Sequence, residues 1–286
     1  MPAAYTPTFT RLNNSSSRKH METMTTAVHS LCPTQIANNI GIATLNNPPV
    51  NSLSSDLCDQ LLEAFEEFEE AHVRVIILRA NPSVKIWSAG HDIRDIPLDG
   101  RDAVTWTTGF GQVLRRVRSC PVPVIAMLHT SVWGAACDLS VTCDLAIGTP
   151  KTTFAITPVK LGISYNAAGM SHFLGVLPLH VIKEMVFTGN PLSAEDAYRF
   201  GLLNRLVSPE KLEATTTEIA QTIAGRAPLA VSVVKAELSS LSRGAPLSAD
   251  EFECIQAARR AAFRSDDLKE GVKSFFEKRT PVFQGK

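Results

Sequence analysis

Two hydrophobic runs that each lead into small residues constrain the fold of this chain more than any other feature. The run 73–80 (VRVIILRA) precedes Ala89-Gly90-His91, and the run 122–128 (VPVIAML) precedes Gly134-Ala135. Both runs are rich in Val and Ile and short, which is typical of strands buried on both faces of a parallel sheet. We therefore predict that each run is a strand of such a sheet.

The small residues after each run expose backbone N–H groups. Two N–H groups that converge on one point form an oxyanion hole, which stabilises negative charge as it develops on a substrate oxygen. The second segment is well placed because Gly134-Ala135 opens an apolar helical stretch, and the N-terminus of a helix attracts anions. Together the two segments predict an anion-stabilising site that is built from backbone groups.

The charge balance and the cysteines exclude several classes of partner. The 286 residues carry 28 basic and 28 acidic side chains, so no global field favours nucleic acid. No apolar run approaches the ~20 residues that a membrane-spanning helix needs, and we expect no membrane partner. The six cysteines lack the spacing of metal or redox sites, so we predict no metal and expect buried, reduced thiols.

Residues 1–34 differ in composition from the rest of the chain. They include three basic residues, a run of Asn and Ser at 13–17, and a single acid, Glu22. A basic, Ser-rich and acid-poor N-terminus is typical of an organelle transit peptide, but a plain disordered leader has the same composition. Both interpretations stay open, and with them a mitochondrial or a cytoplasmic location.

From residue 35 the pattern becomes globular. A strand at 36–45 and a helix at 54–71 come first, and a helix at 103–118 separates the two Val/Ile runs. Strands that alternate with helices predict an α/β domain with a parallel sheet, which we place at 35–225. Helical patterns follow at 193–200, 209–224, 228–241 and 248–278. We assign 226–286 to a C-terminal helical region for packing or subunit contacts.

The motifs of the chain resemble those of the crotonase (enoyl-CoA hydratase/isomerase) superfamily over nearly all of 35–286. The matching stretches are 47–53 (NPPVNSL), 88–93 (SAGHDI), 134–139 (GAACDL), 143–144 (CD), 160–162 (KLG), 193–197 (SAEDA) and 201–204 (GLLN). The resemblance implies a crotonase-like spiral of ββα repeats, an acyl-CoA ligand, and a homotrimer or a dimer of trimers. It implies no further cofactor, because coenzyme A is part of the substrate.

The same resemblance implies where the substrate is bound. The backbone N–H groups of His91 and Ala135 are the expected oxyanion donors, although the family usually has Gly at the second position. The substrate contacts implied along the first segment are Ala89, Gly90, His91, Asp92 and Ile93. We favour a backbone role over a side-chain role for His91, and a turn-capping role over substrate contact for Asp92.

The two glutamates with which hydratases of this family add water are both absent. Hydration of an enoyl double bond needs two positioned carboxyl groups, and these positions hold Asp138 and Pro158. Proline cannot transfer a proton, and aspartate is one methylene shorter than glutamate. We therefore predict that ordinary hydration is lost. An isomerase that uses Asp138 stays open, as does a purely structural carboxyl hydrogen-bonded to its own helix.

A narrower resemblance is to the methylmalonyl-CoA decarboxylase family. The matching stretches are 88–93, 131–134 (SVWG), 154–159 (FAITPV), 161–166 (LGISYN) and 277–283 (EKRTPVF). In that family the counterpart of Tyr165 faces the carboxylate that is lost, and the counterparts of Thr157 and Lys278 contact substrate or CoA. Without the resemblance, Tyr165 would be interpreted as a structural side chain and Lys278 as a solvated cation at a helix end.

This resemblance implies a carbon–carbon lyase that decarboxylates a malonyl-type thioester, and the chemistry agrees with it. Loss of CO2 leaves an enolate, whose chief requirement is an oxyanion hole, and no general base is needed for that step. Two alternatives stay open because a fold does not fix a function. One is an enoyl-CoA hydratase/isomerase that uses Asp138, and the other is a non-catalytic acyl-CoA-binding homologue.

Overall fold

The computed structural model describes residues 30–96, 105, 107–242 and 248–286. The leader prediction for residues 1–29 and the first part of the helix predicted at 103–118 lie outside the described residues. Residues 30–34, which the sequence assigns to the leader, are part of the fold. Cys32 is buried in the main core, and the Leu31 N–H donates to Oε1 of Gln60, 2.8 Å away.

The described residues contain ten strands, of which five have only two residues. In chain order they are β1 (Thr34–Ala37), β2 (Ile40–Leu45), β3 (Ser52–Leu53), β4 (Val75–Ala80), β5 (Gly90–His91), β6 (Val124–Leu128), β7 (Val132–Trp133), β8 (Leu145–Gly148), β9 (Phe154–Ala155) and β10 (Arg205–Leu206).

Ten α-helices accompany these strands in the described part of the chain. They are α1 (Ser55–Glu70), α2 (Gly109–Ser119), α3 (Ala135–Thr142), α4 (Ala167–Leu174), α5 (Leu179–Thr188), α6 (Ala194–Arg199), α7 (Leu212–Ala224), α8 (Pro228–Leu241), α9 (Ala249–Arg264) and α10 (Asp266–Glu277). The helix predicted at 54–71 is confirmed as α1, and the Ser54 side chain caps it by accepting from the Leu57 N–H.

The central sheet has the strand order β1-β2-β4-β6-β8-β10 and is parallel except between β1 and β2. The predicted parallel sheet is therefore confirmed. The prediction of one strand at 36–45 is wrong, because Asn38 and Asn39 form the turn of a hairpin. Their φ angles of 53° and 61° are both positive, which is the conformation of a two-residue hairpin turn and one that Asn tolerates.

A repeated ββα unit accounts for the rest of the topology. Each of β2, β4, β6 and β8 is followed by a two-residue strand and then by a helix. The short strands pair in parallel, β3 with β5 and β7 with β9, and a bridge between Ser88 and Val132 connects the two pairs. This arrangement is the spiral of ββα repeats that the resemblance implies.

Both faces of the central sheet are buried, which explains why its strands are continuously apolar. On β4, Ile76 and Leu78 face the main core. Val75 and Ile77 face the opposite side, where a smaller cluster forms against α7 through Leu212 and other residues. The period of two along the strand sends alternate side chains to the two faces.

The C-terminal region differs from its prediction at one point. The helix predicted at 248–278 is two helices, because Ser265 ends α9 and caps α10 by accepting from the Leu268 N–H. No helix in the described residues is long and apolar enough to cross a membrane. All six cysteines are free, and all but Cys254 are buried, so the expectation of buried thiols is confirmed for five of them.

A buried ion pair fixes α8 to the sheet. The Lys235 Nζ lies 2.7 Å from Oδ2 of Asp144, and it also donates to the carbonyls of Val117 and Val122. The same Asp144 oxygen accepts from the Val124 N–H, at the start of β6. The side chain of Lys235 is 6% exposed and that of Asp144 is 27% exposed, so the lysine is the more dependent on the pair.

We predict that Asp144→Asn lowers the free energy of unfolding by about 3–5 kcal/mol, because it leaves a buried ammonium group without a counter-charge. Lys235→Met is the matched control and should cost less, since it removes that charge and leaves only a partly exposed carboxylate. Urea denaturation of both variants tests this. A larger loss in Lys235→Met than in Asp144→Asn would contradict it.

Candidate active site

The two segments with small residues lie side by side because the strands before them are neighbours. The Trp87 N–H donates to the Ser131 carbonyl, and the Trp133 N–H donates to the Ser88 carbonyl, both at 3.0 Å. Trp87 is fully buried, and its indole N–H donates to the Met127 carbonyl. The segments that follow β4 and β6 therefore stay hydrogen-bonded to each other, as the two strands are.

The closest approach of the two segments is between Gly90 and the start of α3. A Cβ atom on Gly90 would lie 2.5 Å from the Trp133 carbonyl oxygen and 2.6 Å from the Ala135 nitrogen. Gly90 also has a φ of 86°, so glycine is required here twice over. Ala135 is the first residue of its helix, and its N–H has no acceptor within that helix. The predicted convergence of the two segments is thus confirmed.

The backbone conformation of Gly134, which precedes α3, sets the direction of the Ala135 N–H. Gly134 is the N-cap of α3, with φ 57° and ψ −128°, and no side-chain group caps this helix. No side chain therefore accepts a hydrogen bond from the N–H groups at this helix N-terminus, and the binding of an anion there stays a prediction. The hydroxyl oxygen of Thr157 lies close by, 3.7 Å from the position that a Cβ of Gly134 would take. This contact brings a second predicted site residue to the same place.

His91 follows Gly90 in β5 and pairs with Leu53 of β3. Both nitrogens of its imidazole are buried and have no hydrogen-bond partner in the structure. Buried polar atoms are almost always satisfied, so a side chain left in this state is available to a ligand. The predicted role of the His91 N–H as an oxyanion donor stays a prediction.

The residues around His91 have local partners. The Asp92 carboxylate caps the following turn by accepting from the Arg94 N–H at 2.9 Å, which confirms the capping role. The Arg94 side chain, together with that backbone bond, lowers the pKa of the Asp92 carboxyl well below its usual value. The Ala89 N–H donates to the Val50 carbonyl. Ile93 is 66% exposed and presents an apolar surface beside the strand.

Asn51, in the first motif of the resemblance, stabilises the segment that leads to Gly90. Its side chain is fully buried and donates to the Trp87 carbonyl at 3.1 Å, while its own carbonyl accepts from the Ser88 hydroxyl at 2.6 Å. These bonds fix the two residues that precede Ala89 and Gly90. The motif therefore helps to position Ala89 and Gly90, a role that could not be inferred from its sequence.

Tyr165 and Asp138 meet at Gly169. A Cβ on this glycine would lie 2.5 Å from Cε1 of the tyrosine ring and 2.8 Å from Oδ2 of Asp138. The ring packs edge-on against Phe173, with 6.1 Å between centroids. Tyr165, like Thr157, is thus brought beside α3, the helix that carries Ala135.

The Tyr165 hydroxyl is buried and has no hydrogen-bond partner in the structure. Burial, with a further contribution from the Asp138 carboxylate, raises the pKa of this phenol well above its usual value. The hydroxyl therefore keeps its proton at neutral pH and is available as a hydrogen-bond donor. The three buried side-chain atoms without a partner in the described residues all belong to His91 and Tyr165, two of the predicted site residues.

Asp138 has a partner that the sequence did not reveal. It lies one turn beyond Ala135 on the same face of α3, and its side chain is 2% exposed. Its Oδ1 atom is 2.6 Å from Nδ1 of His172 on α4, and Nε2 of His172 is 2.8 Å from the Arg118 guanidinium on α2. A single His and a single Arg on different helices form no motif, so no sequence pattern could have identified them.

Two predicted residues lie at the edge of this arrangement or away from it. Pro158 follows Thr157 and begins the 3-10 turn Pro158–Leu161, where it offers no proton. Lys278 is exposed at the C-terminal end of α10, with φ 54°. The role of Lys278 toward CoA stays a prediction. No three potential metal-ligating side chains cluster in the described part of the chain.

Comparison with known proteins adds to this geometry. A family model described as enoyl-CoA hydratase/isomerase matches residues 35–286. The chain is 39% identical to methylmalonyl-CoA decarboxylase of Escherichia coli (strain K12) over 249 residues, covering 87% of this chain and 95% of that protein. It is 33% identical to the mitochondrial enoyl-CoA hydratase domain-containing protein 3 of Rattus norvegicus over 260 residues, covering 88% and 84% of the two proteins.

A solved structure has the same fold and a related sequence. It is that of methylmalonyl-CoA decarboxylase in complex with 2-nitronate-propionyl-CoA, with a TM-score of 0.74 and 37% identity. The match covers 90% of this chain and 99% of that one.

We predict that Gly90→Ala destabilises the protein more than Gly201→Ala, because only the first adds a clash to the backbone strain. Gly201 has a φ of 89°, close to that of Gly90, but no atom lies within 4 Å of the position of its Cβ. The strain costs about 1–2 kcal/mol at each position, and overpacking adds about 1–3 kcal/mol at Gly90. Equal losses of unfolding free energy in urea would refute the close contact with Ala135.

Proposed function

The chain belongs to the enoyl-CoA hydratase/isomerase (crotonase) family, and from this premise we propose that it decarboxylates a malonyl-type acyl-CoA thioester such as methylmalonyl-CoA. The proposal is supported by the identity to a methylmalonyl-CoA decarboxylase over nearly the whole length of that protein. It is supported further by the kinds of polar group that the site keeps and those that it lacks.

The observation that carries the proposal is the Tyr165 hydroxyl. It is a protonated donor that is buried, has no partner in the described residues, and lies beside α3, the helix that carries Ala135. A buried donor without an acceptor is costly, and a bound carboxylate would satisfy it with a charge-assisted hydrogen bond. A substrate whose carboxylate is lost in the reaction fits this group better than one with no carboxylate.

In the proposed reaction, the thioester carbonyl oxygen accepts hydrogen bonds from the Ala135 N–H and the His91 N–H. The Tyr165 hydroxyl holds the carboxylate so that the bond to be broken stands roughly perpendicular to the thioester plane. The electron pair of that bond moves into the enolate, the oxyanion hole stabilises the charge, and CO2 leaves. The enolate carbon then takes up one proton, which originates from water, to give the saturated acyl-CoA.

Hydration is disfavoured by the same set of residues. Pro158 replaces one of the two carboxyl groups that the reaction needs, and it begins a turn next to Thr157. The remaining carboxyl, on Asp138, is paired with His172 at 2.6 Å. A hydratase or an isomerase that uses Asp138 would have only this one carboxyl, whose Oδ1 is already engaged and whose Oδ2 lies beside Gly169 and the Tyr165 ring.

We extend the proposal to the assembly and the coenzyme. A homotrimer or a dimer of trimers would cover the large apolar side chains that α9 and α10 expose, among them Phe263 at 65%, Phe275 at 77% and Phe276 at 77%. Lys278 follows these helices and has an exposed ammonium group, which fits contact with a phosphate of CoA.

We predict that the purified protein releases CO2 from methylmalonyl-CoA and hydrates crotonyl-CoA negligibly, since Pro158 supplies no proton-transferring group. Mass spectrometry of both incubations measures the propionyl-CoA and the 3-hydroxybutyryl-CoA that are formed. Hydration as fast as decarboxylation would restore the hydratase interpretation. Binding of both thioesters without turnover of either would support a non-catalytic acyl-CoA-binding protein.

We predict that Tyr165→Phe lowers the decarboxylation rate by about ten- to a hundredfold without destabilising the protein. A hydrogen bond to a charged group is worth ~1.5–3 kcal/mol, which converts to that range of rates. Removal of a buried hydroxyl with no partner should leave the free energy of unfolding unchanged or higher by about 1 kcal/mol.

The matched control for this experiment is Tyr198→Phe, because Tyr198 is 50% exposed on α6, and it should change neither quantity. Affinity for propionyl-CoA, which lacks the carboxylate, should stay nearly constant in both variants. An equal loss of propionyl-CoA binding and of decarboxylation in Tyr165→Phe would indicate a packing role for the ring instead.

A further inference from the structure

Three side chains from three helices form a hydrogen-bonded chain that begins on α3. Oδ1 of Asp138 lies 2.6 Å from Nδ1 of His172, and Nε2 of His172 lies 2.8 Å from a guanidinium nitrogen of Arg118. The exposed fractions of the Asp138 and His172 side chains are 2% and 10%. The Thr142 hydroxyl lies at the same junction, 3.5 Å from Asp138 and 3.4 Å from His172.

The hydrogen-bond donors at the two ends of the imidazole determine its tautomer. A guanidinium group has only donors, so the Nε2 of His172 must be the acceptor and carries no proton. The single ring proton is then on Nδ1 and is donated to Asp138. Oδ1 of Asp138 is the acceptor of this hydrogen bond, and the Arg118 guanidinium is the donor at the other end of the imidazole.

These hydrogen bonds engage a carboxylate that lies next to the proposed substrate. Asp138 lies one helical turn from Ala135, and its second oxygen, Oδ2, contacts the same glycine as the Tyr165 ring. A free carboxylate at this place could take a proton from the carbon next to the thioester carbonyl, because the resulting enolate would be stabilised by the same oxyanion hole. In the structure, the carboxylate is instead turned toward α4.

We propose that His172 and Arg118 are positioning residues that prevent the Asp138 carboxylate from acting as a general base on the bound thioester. The inference rests on the proposed function, in which cleavage of the carbon–carbon bond needs no base. The pairing also offsets the negative charge of Asp138 beside the substrate's own carboxylate, since like charges in a buried site repel strongly.

Removal of a proton from C2 of the thioester, the reaction that His172 and Arg118 are proposed to prevent, can be measured directly. In propionyl-CoA, the C2–H bond would break, its electron pair would move to the thioester oxygen as the enolate forms, and the proton would pass to Asp138. In D2O that acid proton exchanges with solvent, and the return step forms a C2–D bond. The protonation step of the proposed reaction, run in reverse, also exchanges this hydrogen, so the part of the exchange that Asp138→Asn removes reports the action of Asp138 as a base. This measurement does not depend on decarboxylation.

Two substitutions of His172 separate its two nitrogens. In His172→Asn, the amide N–H takes the position of Nδ1 and keeps the donor to Asp138, so exchange should remain within about threefold of the wild-type rate. In His172→Gln, the amide reaches the position of Nε2 and leaves Asp138 without its donor. Exchange in this variant should rise at least tenfold, since a general base contributes typically ~10²–10⁴ in rate.

Three further variants complete the test. Asp138→Asn combined with His172→Gln should abolish the gain, and His180→Gln, at an exposed histidine on α5, should show none. Arg118→Leu removes the guanidinium that fixes the tautomer and should also raise exchange, and it decides the question if circular dichroism shows that His172→Gln does not fold. Exchange no faster in His172→Gln than in His172→Asn, or a gain that survives Asp138→Asn, would overturn the inference.

The outcome is distinguishable from failure of the proposed function. Decarboxylation of methylmalonyl-CoA by the wild-type protein is measured separately, and its absence would refute that function alone. A rise in exchange upon loss of the His172 donor would still establish the positioning role.

Discussion

The contact between Gly90 and the first turn of α3 is the constraint on which the site depends. With a Cβ of Gly90 at 2.5 Å from one backbone oxygen and 2.6 Å from the Ala135 nitrogen, no other residue fits without moving the helix. The contact is possible because β4 and β6 are adjacent and parallel, and because the segments after them stay hydrogen-bonded. Because the ββα repeat places β4 and β6 side by side, the two backbone segments that follow them also meet.

Around this backbone site, the polar side chains fall into two groups. Asp138, His172 and Arg118 are hydrogen-bonded to one another. His91 and Tyr165 keep buried polar atoms that no group in the structure satisfies. A folded protein retains such atoms at a cost in stability, and in the proposed function the substrate carboxylate would satisfy the Tyr165 hydroxyl. Under the proposed function, the groups with partners form the scaffold of the site and the groups without partners bind the substrate.

Much of the fold could be predicted from sequence because its signals are local. Val/Ile runs predict buried strands, Ser54 predicts the start of α1, and Gly134 predicts the start of α3. The exceptions are also local but concern conformation within a run. Asn38 and Asn39 turn one predicted strand into a hairpin, and Ser265 divides one predicted helix into two. Hydrophobic periodicity does not register such interruptions, since one or two polar residues leave the pattern on either side intact.

The sequence by itself determined the parallel α/β architecture, the small residues that permit two backbone segments to meet, and the absence of a carboxyl at Pro158. Each of these is a property of one residue or of one short run. Only the tertiary structure decided that the Asp138 carboxylate is engaged by His172 and Arg118 and that the Tyr165 hydroxyl is left without a partner. Pairing and burial depend on which helices pack together, and no single stretch of the sequence specifies the packing of helices that are distant along the chain.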